Sequence, residues 1–183
     1  MITKNLKAVM KMLPFCMGIG NKSVAGAEVV NVSNVTYYLT GYLGTSNYPY
    51  SVNTSYTASA TSAGVSFGKG TTASTGSEYN LESTITSGLT VNTISTQRYS
   101  DADGYIYSEF VYSVANSSSD AITISEVGWK AQMYAYSTVD STSNGTSYVF
   151  LMDRTVLDEP ITIAAGDVVK LVYRIQNEIS FDS

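Results

Sequence analysis

The amino-acid sequence predicts an all-β protein, and its composition is the first reason. Of the 183 residues, 44% are hydrophobic and only 14% are charged, while much of the remaining polarity comes from Ser, Thr, Asn, Gly and Tyr. Thr, Tyr, Val and Ile suit the half-buried surface of a sheet, whereas Ser, Gly and Asn suit its turns. The chain is long enough to bury a core without disulfides.

The second reason is the hydrophobic pattern from residue 28 onward. Short runs of alternating apolar and polar residues are separated by turn residues and indicate about eight strands. This spacing is typical of an antiparallel β-sandwich, of the jelly-roll or immunoglobulin-like type. We therefore expect a β-sandwich domain over residues 28–183, preceded by a separate segment over residues 1–27.

The segment 1–27 is predicted to contain a short basic amphipathic helix that acts as an anchor. Thr3 is a candidate N-cap and Pro14 ends the run. Four apolar residues recur at helical spacing and are the expected partner-binding face: Leu6, Val9, Met10 and Leu13. The apolar run is too short to span a membrane, and the helix must dock either on its own β-body or on a neighbouring subunit to persist. A secretory signal peptide is the alternative, with Ala25-Gly26-Ala27 as the cleavage site.

The clearest strand is 105–114, in which alternate residues from Ile106 to Val114 share one face. Residues 116–120 then turn the chain, and 126–128 breaks the alternation, which predicts a bulge before Trp129, a core anchor. Near the end, a turn at 165–167 joins two strands in a compact strand-turn-strand unit, which predicts a hairpin, and the second strand places Lys170 and Arg174 toward solvent.

Residues 41–75 lack such a pattern and are expected to form long surface loops or irregular edge strands. Exposed aromatics in such loops can bind partner proteins or stack on sugar rings. The candidates are Tyr42, Tyr48, Tyr50 and Tyr56, with packing of the loops onto the sheet as the alternative role.

Residues suited to catalysis are scarce. The chain has no His, and its single Cys16 cannot form an intrachain disulfide. The segment 64–70 lacks the spacing and the hydroxyl of a phosphate loop, and Asp101-Ala102-Asp103-Gly104 lacks later ligands of a calcium loop. Outside the first 22 residues the few basic residues are spread along an acidic chain of net charge -5, which disfavours nucleic-acid binding. We expect no enzyme activity, no cofactor and no metal.

Five segments in order resemble small tailed-bacteriophage structural proteins. They are Phe67-Gly68-Lys69-Gly70-Thr71-Thr72, Glu78-Tyr79-Asn80-Leu81-Glu82, residues 122–128, residues 150–157 and residues 160–167. The resemblance implies a non-enzymatic virion component, such as a capsid decoration, neck, tail or fibre-associated subunit. Such a subunit binds other virion proteins and copies of itself, with no active site. The competing hypothesis is an exported carbohydrate-binding or adhesin module that binds a surface glycan outside the cell.

Overall fold

The structure is a computed structural model, and it describes residues 3–4, 27–39, 50–51, 55–100, 105–135 and 146–178. Within these ranges the protein is all-β, with antiparallel sheets, as the sequence predicts. The strands are β1 (Ala27–Val30), β2 (Thr36–Leu39), β3 (Tyr50–Ser51), β4 (Gly64–Gly68), β5 (Leu89–Ser100), β6 (Tyr105–Asn116), β7 (Ile122–Ala135), β8 (Thr146–Ile163) and β9 (Val168–Glu178).

These strands form three sheets. β1 and β2 make a two-stranded ribbon. β7 is the centre of the largest sheet, with β8 on one side and β3 and β4 on the other. The third sheet has the order β5-β6-β9.

The main hydrophobic cluster contains side chains from both larger sheets. Val65 and Phe67 of β4 meet Phe110 and Tyr112 of β6 in this cluster, and the rings of Phe67 and Tyr112 pack edge to face with centroids 5.9 Å apart. Phe110, Tyr112 and Val114 are all buried, which confirms the predicted inward face of this strand. Fully burying each such side chain contributes roughly 1.5–3 kcal/mol, so this cluster dominates the stability of the described body.

A second cluster lies between the C-terminal part of β7 and the N-terminal part of β8. Val29 of β1 and Phe150 of β8 are buried together in this cluster. Trp129 packs against both clusters, which supports its predicted role as a core anchor. Its indole Nε1 is buried with no hydrogen-bond partner among the described residues, so packing rather than polar contact holds the ring.

Two irregularities in the pairing of β7 with β8 shape the site described below. The register breaks between Ile124 and Glu126 and again between Trp129 and Lys130, whereas residues 126–128, where the sequence predicted a bulge, pair with β8 in unbroken register. At the second break Lys130 is opposite Leu151 and Trp129 is opposite Asp153, so Met152 is an extra residue in β8. Such bulges re-aim neighbouring side chains.

Two expectations need correction. The strands that flank the turn at 165–167 do not pair with each other, because β8 pairs with β7 and β9 pairs with β6; the turn carries the chain from one sheet to the other. In addition, β4 lies inside the segment 41–75, which was expected to form surface loops or irregular edge strands. β4 is an edge strand that pairs with β7, but every one of its residues is buried. Its Gly-Val-Ser-Phe-Gly sequence alternates too briefly to reveal a buried strand.

Candidate functional site

A buried polar cluster lies on one face of the largest sheet, around Arg154 of β8 and Glu126 of β7. Arg154 is opposite Gly128, two residues from Glu126, so the two long side chains are neighbours on the same face. Arg154 Nε donates to Glu126 Oε2 at 2.7 Å, and both side chains are almost completely buried. Buried charges persist only when they are paired and hydrogen-bonded.

The rest of the Arg154 guanidinium binds the long connection between β4 and β5. Nη1 donates to the carbonyl oxygen of Thr72 at 3.0 Å, and Nη2 donates to Glu82 Oε2 at 3.3 Å. Glu78 Oε1 lies 3.9 Å from Nη1. One planar donor group therefore holds three points of the connection on the sheet.

The Glu126 carboxylate binds the same connection by accepting hydrogen bonds from backbone N–H groups of that connection. Its Oε1 accepts from Gly70 N at 3.0 Å and from Ser83 N at 2.8 Å, and its Oε2 accepts from Glu82 N at 3.2 Å. The carboxylate therefore replaces the solvent that these buried or partly buried donors would otherwise need.

The glycines of the segment 67–72 are explained by this carboxylate. A Cβ on Gly70 would lie 2.6 Å from Glu126 Oε1, and a Cβ on Gly68 would lie 2.7 Å from both Glu126 Cγ and the carbonyl oxygen of Ser83. Gly128 is under a related constraint, since a Cβ there would lie 2.6 Å from Leu81 Cδ2 and that side chain would have to shift. The glycine-rich turn therefore makes room for the buried carboxylate.

A cavity of about 400 Å³ opens beside Arg154, within the same connection. Its lining includes Tyr79 and Asn80 together with the two partly exposed carboxylates Glu78 and Glu82. Tyr79 is 40% exposed. The cavity therefore combines one accessible aromatic ring with polar groups of net negative charge.

The carboxylates at this cavity are already hydrogen-bonded within the chain. Burial acts to raise the pKa of Glu78, but the N–H of Thr75 and the hydroxyls of Thr75 and Ser74 outweigh it and lower the pKa to about 2. The N–H and hydroxyl of Thr72, with a smaller contribution from Arg154, lower the pKa of Glu82. Both groups are anions at neutral pH.

A second buried polar contact joins the two larger sheets. The hydroxyl of Tyr173 on β9 donates to Asp153 Oδ2 on β8, and Thr155 Oγ1 donates to the same oxygen at 3.2 Å. Burial, followed by the Asp153 charge, raises the pKa of Tyr173 well above its usual value. The tyrosine therefore remains a neutral donor.

Lys130 of β7 is a third buried ionisable group. Its side chain is fully buried, and Nζ donates to the carbonyl oxygen of Ser59 at 2.7 Å. Burial lowers the pKa of Lys130 to about 8. Asn80 ties the same loop at the next residue, because its Nδ2 donates to Ala60 O at 3.1 Å.

The outer face of the β5-β6-β9 sheet carries the most exposed aliphatic side chains of the described residues. Val168 is 62% exposed, Ile94 is 58% exposed and Val172 is 49% exposed. Lys170 and Arg174 are exposed on the same strand as the two valines, as predicted. Exposed aliphatics grouped on one sheet are typical of a contact surface.

Most of the predicted partner-binding residues lie outside the described residues: Leu6, Val9, Met10, Leu13, Tyr42 and Tyr48. Tyr50 forms β3, where it is opposite Met133. Tyr56 is partly buried against the main cluster, and its ring lies 5.2 Å from that of Phe67. That position matches the alternative role of packing a loop onto the sheet.

The N-terminal segment contacts the β-body at its start. Thr3 is fully buried, its N–H donates to Met152 O at 3.1 Å, and its Oγ1 donates to Leu151 O at 2.7 Å. Lys4 N donates to Gly76 O at 2.8 Å. The remaining residues of the predicted anchor helix are outside the described ranges.

Glu126 and Arg154 lie in two of the segments that carry the resemblance, but the sequence did not predict that they pair. A usable signal was present, since each is a long ionisable residue within a largely apolar strand sequence. Such residues are rarely fully buried unless they are paired. Four of the five segments that carry the resemblance meet at this pair, because Gly70, Glu82, Glu126 and Arg154 belong to different segments.

Comparison with known proteins finds no match among protein-family models, curated proteins or solved structures. Among the described residues, no group of three or more His, Cys, Asp and Glu side chains is arranged to hold a metal ion. Across the same ranges, no helix has the length and apolar character needed to cross a membrane.

Proposed function

We propose that this chain is a non-enzymatic structural subunit of a tailed-phage virion that acts through contacts with other virion proteins and with its own copies. The observation that carries the proposal is the exposed aliphatic surface of the β5-β6-β9 sheet, at Ile94, Val168 and Val172. A contact that symmetry repeats would bury these grouped aliphatic residues. The subunit would assemble in the cytoplasm of a bacterial host.

Two further features support a contact role. The buried ionisable groups Glu126, Arg154 and Asp153 are hydrogen-bonded to the chain itself, where they fix loops and join sheets. The two larger sheets share one hydrophobic cluster, so we propose that they form the two layers of a β-sandwich of the jelly-roll or immunoglobulin-like type. A rigid body of this kind suits repeated assembly.

The N-terminal segment is proposed as the anchor of the subunit. Thr3 and Lys4 bind the β-body, which favours docking of the beginning of this segment on its own chain. The residues that follow, with Leu6, Val9, Met10 and Leu13, would then contact a neighbouring subunit.

Particle incorporation tests the proposal. Residues 1–20 are deleted in the phage that encodes the chain, and purified particles are assayed for the subunit by mass spectrometry. We expect loss of incorporation with a folded β-body, as judged by circular dichroism. Thr3→Val is the control, since it removes the Oγ1 hydrogen bonds and keeps the segment. Normal incorporation of the deletion variant would refute the anchor, and absence of the wild-type chain from particles would refute the virion role.

One observation favours the second candidate function, an exported glycan-binding module. The cavity beside Arg154 offers the exposed ring of Tyr79 next to Asn80 and two carboxylates, a combination that can hold a sugar ring. Glu78 and Glu82 already accept several hydrogen bonds from the chain, which reduces their capacity for a ligand. Wild-type protein and Tyr79→Ala would be compared on a glycan array; binding that Tyr79→Ala abolishes would support this function.

A further inference from the structure

The edges of the long strands differ in how well they are protected. A strand at the edge of a sheet presents backbone N–H and C=O groups that can pair with another chain. Among the described strands of eleven residues or more, β6 and β7 have neighbours on both sides, whereas β5, β8 and β9 are edge strands. These three edges therefore decide where a further strand can be added.

The edge of β8 is protected along its length. Val32 N donates to Val149 O at 3.0 Å and Thr3 N donates to Met152 O, so chain segments already occupy this side. Farther along, the exposed residues Asp158-Glu159-Pro160 lie where the register with β7 is interrupted. Charges, a proline and irregular pairing all oppose strand addition.

The edge of β9 is protected by charge. Lys170 and Arg174 are both exposed on this strand, and Arg174 Nη2 donates to Glu109 Oε2 at 2.8 Å on the neighbouring strand. A second β9 would bring further cations to the same edge. Like charges placed directly opposite each other destabilise a strand pair.

The edge of β5 differs from both. The nine residues from Leu89 to Gln97 include no ionisable side chain and no proline. Thr90, Asn92 and Thr93 are exposed, and Ile94 is the extra residue of a bulge opposite Val111. Val111 is opposite Ser95 on β5 and opposite Val172 on β9, and Ile94 directly precedes Ser95, so an exposed aliphatic residue lies at this level on each edge strand.

We propose that β5 pairs in antiparallel orientation with β5 of a second copy of this chain, across a twofold axis, to join two three-stranded sheets into one sheet of six. This inference deepens the proposed function, on which it rests for its biological setting, by naming the strand and the partner. Each copy offers the same single unprotected long edge among its described strands, so an isologous contact is the pairing that satisfies both. Neutral Thr, Asn and Ser side chains meet their own copies without charge repulsion, and the exposed Ile94 is covered.

The test measures the mass of the purified full-length protein by sedimentation equilibrium, for the wild type and two variants. Ile94→Lys places a charge at the proposed contact, where two copies bring two like charges together. Val35→Lys is the matched control, since it replaces an exposed aliphatic residue between β1 and β2, outside the proposed contact surface. We expect a dimer for the wild type and for Val35→Lys, and at least a tenfold weaker dimer for Ile94→Lys. Asn92→Lys serves as the second edge variant if Ile94→Lys does not fold.

Hydrogen exchange identifies the strand. Backbone amides of β5 should exchange more slowly as the protein concentration rises, while amides of β9 should not change. A wild-type chain that is monomeric at about 100 μM would overturn the proposal, as would a dimer that only Val35→Lys disrupts or one without concentration-dependent protection in β5. These measurements use purified protein and no virions. A monomeric protein would therefore overturn the proposed pairing of β5 strands but would not test the proposed incorporation into virions.

Discussion

Arg154 Nε and Glu126 Oε2 are 2.7 Å apart beneath the connection between β4 and β5, and neither side chain reaches solvent. The pair fixes the loop at both ends of its path, because Arg154 binds Thr72 O and Glu126 binds Ser83 N. Loops carry buried N–H and C=O groups only where partners of this kind exist. The cavity beside Arg154 keeps its shape for the same reason.

Arg154→Met should destabilise the protein strongly. It removes the cation and leaves the buried Glu126 carboxylate with backbone donors alone, and losing one partner of a buried pair costs about 3–5 kcal/mol. Urea unfolding measures the change in the free energy of unfolding. Glu82→Gln is the control, because that side chain is exposed and its contact with Arg154 is 3.3 Å long, and such solvent-screened pairs contribute little to stability. Equal losses for the two variants would contradict the importance of the buried pair.

Gly68→Ala should cost more than Gly166→Ala. The new Cβ on Gly68 would meet Ser83 O at 2.7 Å, and a backbone atom cannot move aside without breaking the Lys69 N to Ser83 O hydrogen bond of 2.8 Å. Overpacking of this kind costs about 1–3 kcal/mol. Gly166 has open space around it, but its φ of 81° strains any side chain, and we expect a loss of about 1 kcal/mol there. Thermal unfolding of both variants would show whether the order holds.

Strand positions could be predicted from the sequence where alternation is long. In β6 the pattern from Phe110 to Val114 specifies the buried face. In β7 the altered alternation at 126–128 does not coincide with a bulge, because the register breaks lie on either side of these residues. The position of β4 could not be predicted in this way, because five residues are too few to show a period. The sequence also could not predict that β8 and β9 belong to different sheets, since a short turn fits a hairpin equally well.

The polar cluster could be predicted only in part, because its contacts are far apart in sequence. Glu126 Oε1 binds Gly70, 56 residues away, and a single sequence contains no information on that distance. A lone Glu or Arg within an apolar strand does indicate a buried ion pair. Which residues pair, and which loop they hold, depends on the tertiary fold.

Tyr173→Phe should weaken the link between the two larger sheets. The change keeps the ring in the core and removes the hydroxyl that donates to the buried Asp153. A hydrogen bond to a charged group contributes about 1.5–3 kcal/mol, and we expect a loss of that size in the free energy of unfolding. Tyr56→Phe is the matched control, since its hydroxyl lies 3.5 Å from Ile85 O, and about 0.5 kcal/mol or less should be lost there. A loss at Tyr56 as large as that at Tyr173 would contradict the assignment.

Lys130 should make the stability rise with pH above neutrality. Burial lowers its pKa to about 8 in the folded protein, whereas the unfolded chain has the ordinary value of 10.5. Between these values the unfolded state binds more protons, so raising the pH favours folding; below about 8 both states are protonated and the buried charge exerts its full destabilising effect. The difference between the two pKa values corresponds to a total gain of about 3 kcal/mol. The gain in stability is measurable between about pH 8 and pH 9.5. At higher pH the tyrosines of the unfolded chain ionise, whereas Tyr112 and Tyr173 in the folded protein do not, because burial raises their pKa values.

Urea unfolding of the wild type and Lys130→Met across this pH range provides the test. The variant should lack the gain and should be at least as stable as the wild type at pH 7, and an identical pH dependence in the two proteins would refute the assignment.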